Sequence, residues 1–155
     1  MAKFNPITAE IAEQLKAVVG EKRFQYGETV KEEYSHDEMP IYGKFAPEAV
    51  AEVETTEEVS KIMKICNDNL IPVTVRGSGT SLTGASVPIH GGLVLSTARM
   101  NKILSYDLPN MAVTLQPGVL LQDLAADVDK HGFYYPPDPG SKTSTVGGNI
   151  ATNAG

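Results

Sequence analysis

The sequence predicts an α+β fold in two parts. A small β-α-β unit comes first, then the start of a second mixed or antiparallel sheet, and a helical extension precedes both. Three observations predict this. Short apolar runs flank a stretch of helical periodicity between Ala49 and Val75, the signature of strand, helix, strand. A second pair of runs, Ile103 to Asp107 and Met111 to Gln116, surrounds the turn formers Leu108-Pro109-Asn110 and reads as a hairpin. From Phe133 onward the chain is rich in Gly, Pro and Ser.

Taken in order, Thr8 to Val19 is a helix, with Ile11, Leu15, Val18 and Val19 at helical spacing and Gly20 as its stop. Residues 21–46 are polar with scattered Tyr and Phe, and no element is assigned there. Ala49 to Val53 is a short strand. Thr55 and Glu58 form a capping box, in which each side chain takes the other residue's backbone N–H. The helix that follows turns Val59, Ile62, Met63 and Cys66 inward and ends at Asn69. Ile71 to Val75 is the next strand, and such a β-α-β unit normally has parallel strands and a right-handed crossover. Gly91-Gly92 leads into a third strand, Leu93 to Ser96. Pro117-Gly118 breaks the chain after the hairpin. Leu120 to Lys130 is an amphipathic helix with Leu121, Leu124, Ala125 and Val128 inward, closed by His131-Gly132. The domain boundaries expected are 1–46 for the extension and 47–155 for the main domain.

Composition narrows the function. The chain has 155 residues, 41% of them hydrophobic, and a formal net charge of −6. Residues 1–70 hold 14 acidic against 8 basic side chains, and residues 71–155 hold 5 of each. The glycine-rich half is therefore neutral, and a nucleic-acid partner, which needs a basic face, is not expected. A single cysteine, Cys66, excludes an internal disulfide and a Cys-rich metal site. His36, His90 and His131 are far apart and show no ligand spacing, so no metal site is expected. Asp123, Asp127 and Asp129 read as a solvated helix face. No apolar run is long enough to span a bilayer, and MAKFNPITAE lacks a signal-peptide core, so the expected location is cytoplasmic. The chain stops inside a glycine-rich stretch, where domains seldom end, which gives the expectation of a fragment.

The chemistry lies in two loops. Val75 to Ala85 reads VRGSGTSLTGA, and no acidic residue occurs between Asp68 and Asp107. Glycines let backbone N–H groups face a ligand closely, Ser and Thr hydroxyls add donors, and Arg76 brings a positive charge. The run suits a pyrophosphate. It is not a Walker A loop, because no Lys lies between Lys64 and Lys102. It also misses the GxGxxG spacing, because Leu82 stands where the third glycine belongs. Taken alone it is equally what a tight surface turn needs. The second loop tips the balance. YYPPDPGS, Tyr134 to Ser141, is followed by TSTVGGNIATNAG, Thr143 to Gly155. Prolines stiffen one wall, Gly147 and Gly148 allow close approach, and Asn149, Thr152 and Asn153 offer side-chain hydrogen bonds. A helical turn starting at Thr145 would present free N–H groups. Tyr134 and Tyr135 either border a ligand or pack under the proline-rich loop.

VRGSGTSLTGA, then PPDPGS, then STVGGNIATNAG, resembles the FAD-binding domain of the vanillyl-alcohol oxidase and p-cresol methylhydroxylase flavoproteins. Within that superfamily it is most similar to the glycolate oxidase flavoprotein chain and to FAD-linked D-lactate and D-2-hydroxyglutarate dehydrogenases. The likeness covers roughly Pro47 to Gly155. It implies that Arg76, Gly77, Ser78, Gly79, Thr80, Ser81 and Leu82 wrap the FAD pyrophosphate, with Thr83 and Gly84 completing the loop. It implies that Pro137, Asp138, Gly140 and Ser141 lie along the flavin side. Thr145, Gly147, Gly148, Asn149, Thr152 and Asn153 would contact the isoalloxazine, ribityl or pyrophosphate portions. Covalent members carry a histidine where this chain has Thr80, so non-covalent FAD is implied. The activity implied is oxidation of a small 2-hydroxy acid, glycolate or D-lactate, by hydride transfer to flavin, with electrons passed to an acceptor or partner subunit. Catalytic residues are expected beyond Gly155, as is the substrate domain, and the fragment alone is expected to be inactive. Two alternatives stay open: another flavoprotein of this fold, such as an alditol oxidase, and a flavin-binding electron-transfer subunit without its own substrate site.

Overall fold

The computed structural model describes residues 3–154. Helix α1 (Ala9–Val19) begins at Thr8, whose Oγ accepts the Ile11 N–H at 3.3 Å, and closes where the Gly20 N–H donates to the Lys16 carbonyl. Its buried face is Ile11, Ala12, Leu15 and Val19. The region left without elements contains an edge strand, β1 (Phe24–Tyr26), and several single 3₁₀ turns. Strand β2 (Ala49–Glu52) and helix α2 (Thr56–Asp68) follow as the periodicity predicts. The Thr55 hydroxyl caps the Glu58 N–H at 3.1 Å, but the return bond differs from the expected box. The Glu58 carboxylate accepts from Glu54 N, one residue further back, at 2.7 Å, because it also grips Arg23. Ile62 and Cys66 are buried as predicted, whereas Met63, one residue off the helical stripe, is exposed.

Strand β3 (Val73–Arg76) starts two residues later than the apolar run suggests. The Ile71 N–H is taken by the Cys66 carbonyl at 2.8 Å, and Pro72 has no N–H, so the ladder can begin only at Val73. Strand β4 (Leu93–Ser96) lies between β2 and β3, and the sheet order is β1-β2-β4-β3. Both β2 and β3 run parallel to β4, and β1 pairs antiparallel with β2 at the edge. The β2-α2-β3 crossover thus leaves one strand position open, which β4 fills on its return from the glycine loop. Every residue of β4 is buried. Leu93 and Leu95 face a core shared with α1 and α2, and Val94 packs with Val50 and Tyr34 on the opposite face.

The second part contains the hairpin β5 (Ile103–Asp107) and β6 (Ala112–Leu115), paired antiparallel with a bulge near Leu104. Helix α3 (Leu121–Asp129) covers it through Leu124 and Val128. Ala125, expected inward, is exposed. Asp127 departs from the solvated face: it accepts the Tyr106 hydroxyl, and Lys130 at 2.9 Å. Burial and that carboxylate push the Tyr106 hydroxyl up to about 12. A short helix, α4 (Val146–Thr152), ends the described chain. No helix among the described residues is long and apolar enough to cross a membrane.

Arg23 binds the two carboxylate oxygens of Glu58 at 2.7 and 2.8 Å, with both side chains mostly buried. The guanidinium's hydrogen bonds hold the Glu58 carboxyl below its ordinary value of 4.5. A depressed folded-state value means stability that is present above 4.5 and lost as pH falls through the folded value. Arg23→Ala is therefore expected to cost about 1–2 kcal/mol at neutral pH. Denaturant unfolding should show the gap between wild type and variant closing as the medium is acidified below 4.5.

Candidate functional site

The two predicted loops meet. The glycine loop leaves the carboxyl end of β3, and α4 starts directly opposite it. Gly77 sits so close to Thr145 that a Cβ at residue 77 would lie 2.3 Å from the Thr145 hydroxyl. Thr145 in turn caps α4, its Oγ accepting the Gly148 N–H at 3.2 Å. Between the loops lies a cleft of about 840 Å³, within the range of roughly 300–1,000 Å³ typical of cofactor and small-molecule sites. Of the predicted residues, Gly77 to Thr83 line it from one side. Gly140, Ser141, Thr145, Gly147, Gly148, Asn149 and Thr152 line it from the other.

Five of the predicted residues do not line it. Arg76 is buried beneath the loop, its Nη1 donating to the His36 carbonyl at 2.7 Å and its guanidinium 5.7 Å from the Tyr34 ring centre. Burial pulls its pKa down, and the Tyr34, Glu33 and Asp37 charges oppose that. Gly84 donates its N–H to Asp37 at 2.8 Å behind the loop. Pro137 and Asp138 are exposed on the outer turn, where Asp138 pairs with Lys142. Asn153 ends α4 in the left-handed conformation at φ 51°. Tyr134 is exposed and Tyr135 packs against the second core, below the proline-rich loop. His90 lies elsewhere, its ring 5.2 Å from that of Phe4.

The donor inventory defines what the cleft can hold. The backbone N–H groups of Ser78, Gly79, Thr80, Ser81 and Leu82 have no partner among the described residues. The hydroxyls around them pair within the loop, Ser78 with Thr80 at 3.3 Å and Ser81 with Thr83 at 2.9 Å, and the Ser81 Oγ also accepts the Thr83 N–H at 3.1 Å. The start of α4 differs from expectation. Its first N–H groups are already used: Val146 donates to Val119, Gly147 to Pro117 and Gly148 to Thr145, so no free turn remains there. The Asn149 side chain is without a partner among the described residues. The charged lining residue among those described is an acid, Glu38, so the donors facing a ligand are neutral.

Sequence reasoning missed two kinds of residue here. Ser86 lines the cleft at 6% exposure and its hydroxyl is buried without a partner. It stands two positions past Gly84 in the same run, and that continuity was the available signal. Asp37 and Glu38 come from the unassigned extension, where one acid among many carries no distinguishing mark.

A crossover sheet whose glycine loop opens a run of unpaired amides onto a cleft is the arrangement of a nucleotide-cofactor domain, since such amides suit an anionic group. The family described as FAD binding domain matches residues 47–155, and the chain belongs to it. The D-lactate dehydrogenase of Anaerostipes hadrus is 51% identical over 153 residues, which is 99% of this chain and 32% of that protein. Glycolate oxidase subunit GlcD of Bacillus subtilis is 43% identical over 150 residues, 96% of this chain and 32% of that one. The chain thus spans about a third of the length of these curated relatives. A crystal structure of p-cresol methylhydroxylase with substrate bound superposes with a TM-score of 0.75 at 23% identity, covering 94% of this chain and 29% of that one. That likeness is one of fold. FAD is the cofactor, and the residues present fit it: free amides for a diphosphate, an orphaned Ser86 hydroxyl, and two walls in contact.

Gly77→Ala is expected to weaken FAD binding about tenfold or more, because its Cβ must force Thr145 and the α4 wall away. Titration of the apoprotein by quenching of FAD fluorescence measures it.

Proposed function

We propose that these residues form the cofactor-holding part of an FAD-dependent oxidoreductase that oxidises a 2-hydroxy acid of the glycolate or D-lactate type. The observation that carries the reading is the run of unpaired amides from Ser78 to Leu82 along the cleft. The D-lactate dehydrogenase and glycolate oxidase relatives support the substrate class. Once bound, the flavin supplies the redox chemistry, accepting a hydride from the α-carbon of the acid.

The chain's own work is to bind and orient. In this reading the Ser78, Gly79, Thr80, Ser81 and Leu82 amides donate to the diphosphate, Gly77 lets the two walls touch, and Thr83 and Gly84 finish the loop. Arg76 acts from below, through the loop backbone rather than by contact, which its burial supports. Gly140, Ser141 and the α4 residues Thr145, Gly147, Gly148, Asn149 and Thr152 line the flavin and ribityl side, with Pro137, Asp138 and Asn153 holding the turns behind them. Attachment is non-covalent, supported by Thr80 at the histidine position of covalent members and by a lone cysteine, Cys66, that is buried on α2. The substrate ligands and the base that takes the hydroxyl proton belong to parts of the protein outside these residues. The protein works in the cytoplasm, passing electrons to a separate acceptor or partner subunit.

The test is an anaerobic visible spectrum of the complete protein before and after D-lactate or glycolate. The flavin bands are expected to bleach on addition, and acid precipitation is expected to release all the FAD into solution. A flavin that stays oxidised with both acids overturns the substrate assignment. A preparation that takes up no flavin in excess FAD overturns the cofactor role.

A further inference from the structure

The glycine loop is held from behind by residues outside the matched domain, which begins at residue 47. Three bonds tie the segment 36–38 to it. The His36 carbonyl accepts from Arg76 Nη1 at 2.7 Å, the Glu38 N–H donates to the Ser81 carbonyl at 3.1 Å, and Asp37 Oδ2 accepts the Gly84 N–H at 2.8 Å. The other Asp37 oxygen accepts the Met39 N–H at 3.0 Å, which locks the segment's own turn. The Tyr42 ring then seats against Gly84, where φ is +74° and a Cβ would come within 2.9 Å of the ring.

Asp37 is the unusual member. Its residue is 5% exposed, and among the described residues no cation lies within 4 Å of it, the buried Arg76 charge acting on it only from further away. A buried carboxylate without a counter-ion is costly unless hydrogen bonds compensate it. It also lies behind a loop built for an anionic diphosphate, where its charge opposes the ligand. What it contributes must therefore be geometric. It occupies the Gly84 donor and anchors the loop's far end, while Glu38 holds the Ser81 carbonyl. With Arg76 held at the loop's start by the His36 carbonyl and Gly84 held at its end, the amides between them cannot fold back onto the loop's own carbonyls.

We propose that Asp37 is a positioning residue of the cofactor site, its buried carboxylate holding the glycine loop so that the Ser78 to Leu82 amides stay free for FAD. The proposal rests on the FAD reading above. It makes the segment 36–42, which lies outside the matched domain, a working part of the site.

Charge and geometry predict opposite signs for Asp37→Asn. Removing a charge that opposes the diphosphate would tighten FAD binding. Removing the carboxylate geometry turns an amide NH₂ toward either Gly84 or Met39, donor against donor, and would weaken it. The complete protein, freed of FAD, is titrated with FAD by fluorescence quenching, and hydrogen exchange is followed over residues 77–86. Asp37→Asn is expected to weaken binding about tenfold or more and to speed exchange in that segment. Asp37→Ser keeps a hydroxyl for the Met39 turn but cannot reach Gly84, and it is expected to show the same loss. Arg23→Ala, destabilised at a distant ion pair, is expected to bind FAD as wild type does. Wild-type or tighter affinity in Asp37→Asn and Asp37→Ser overturns the proposal, and so does an equal loss in Arg23→Ala. Failure of the wild type itself to bind FAD overturns the cofactor reading and this proposal with it.

Discussion

Unpaired backbone N–H groups are the constraint around which this fold is arranged. A run of amides that bonds to nothing in its own chain is a liability, since buried or half-buried donors seek partners. The glycine loop keeps five of them free, and it does so only because its neighbours remove the alternatives. Strand β4 fixes where the loop begins, since Thr97 N donates to the Arg76 carbonyl at 2.9 Å. The extension holds the Ser81 carbonyl and the Gly84 N–H. Thr145 presses on Gly77 from across the cleft. Without these supports the loop could collapse onto itself, and a diphosphate would have to pay to reopen it. Preorganisation of this kind raises affinity without adding contacts.

The absence of a facing cation follows the same logic. An exposed lysine or arginine would attract the diphosphate at long range but would be strongly hydrated and mobile. Here the positive charge, Arg76, is sunk under the loop against Tyr34 and a carbonyl, and amide dipoles face the ligand instead. The acid on the lining, Glu38, is exposed, and water can screen it. The neutral balance of residues 71–155, visible in the sequence, thus holds for the donors at the site, and the charged lining residue among those described, Glu38, comes from the extension.

Much of this was legible in the chain. The helices α1, α2 and α3, strand β4 and the hairpin follow from periodicity and turn residues, because each is a local pattern with one apolar face. The two loops were legible for a different reason: glycine and hydroxyl residues cluster only where backbone must be exposed. Four features were not legible. Insertion of β4 between β2 and β3 depends on long-range pairing that no window of sequence contains. Strand β1 is a three-residue edge element with no pattern of its own. Arg76 was expected to face the ligand, yet the guanidinium turns the other way, a choice made by Tyr34 and His36 from a segment without recognisable order. The donors expected free at α4 are consumed by Val119 and Pro117, partners that become visible only when the second part of the chain folds over it.

The two parts of the fold have separate cores, one built on the parallel sheet and one on the hairpin with α3. Their junction includes Gly118 N bonded to Met100 O, Gln116 Nε2 bonded to Glu54 O, and Gly77 against Thr145. Each wall of the cleft belongs to a different core. A ligand that spans both walls therefore binds the joined arrangement and not the parted one, and by mass action it stabilises the junction in proportion to its occupancy. In the proposed reading FAD is such a ligand, a structural component as well as a redox group. In that reading the cofactor completes the junction, and Gly77 is the residue that lets the two walls come within reach of one ligand.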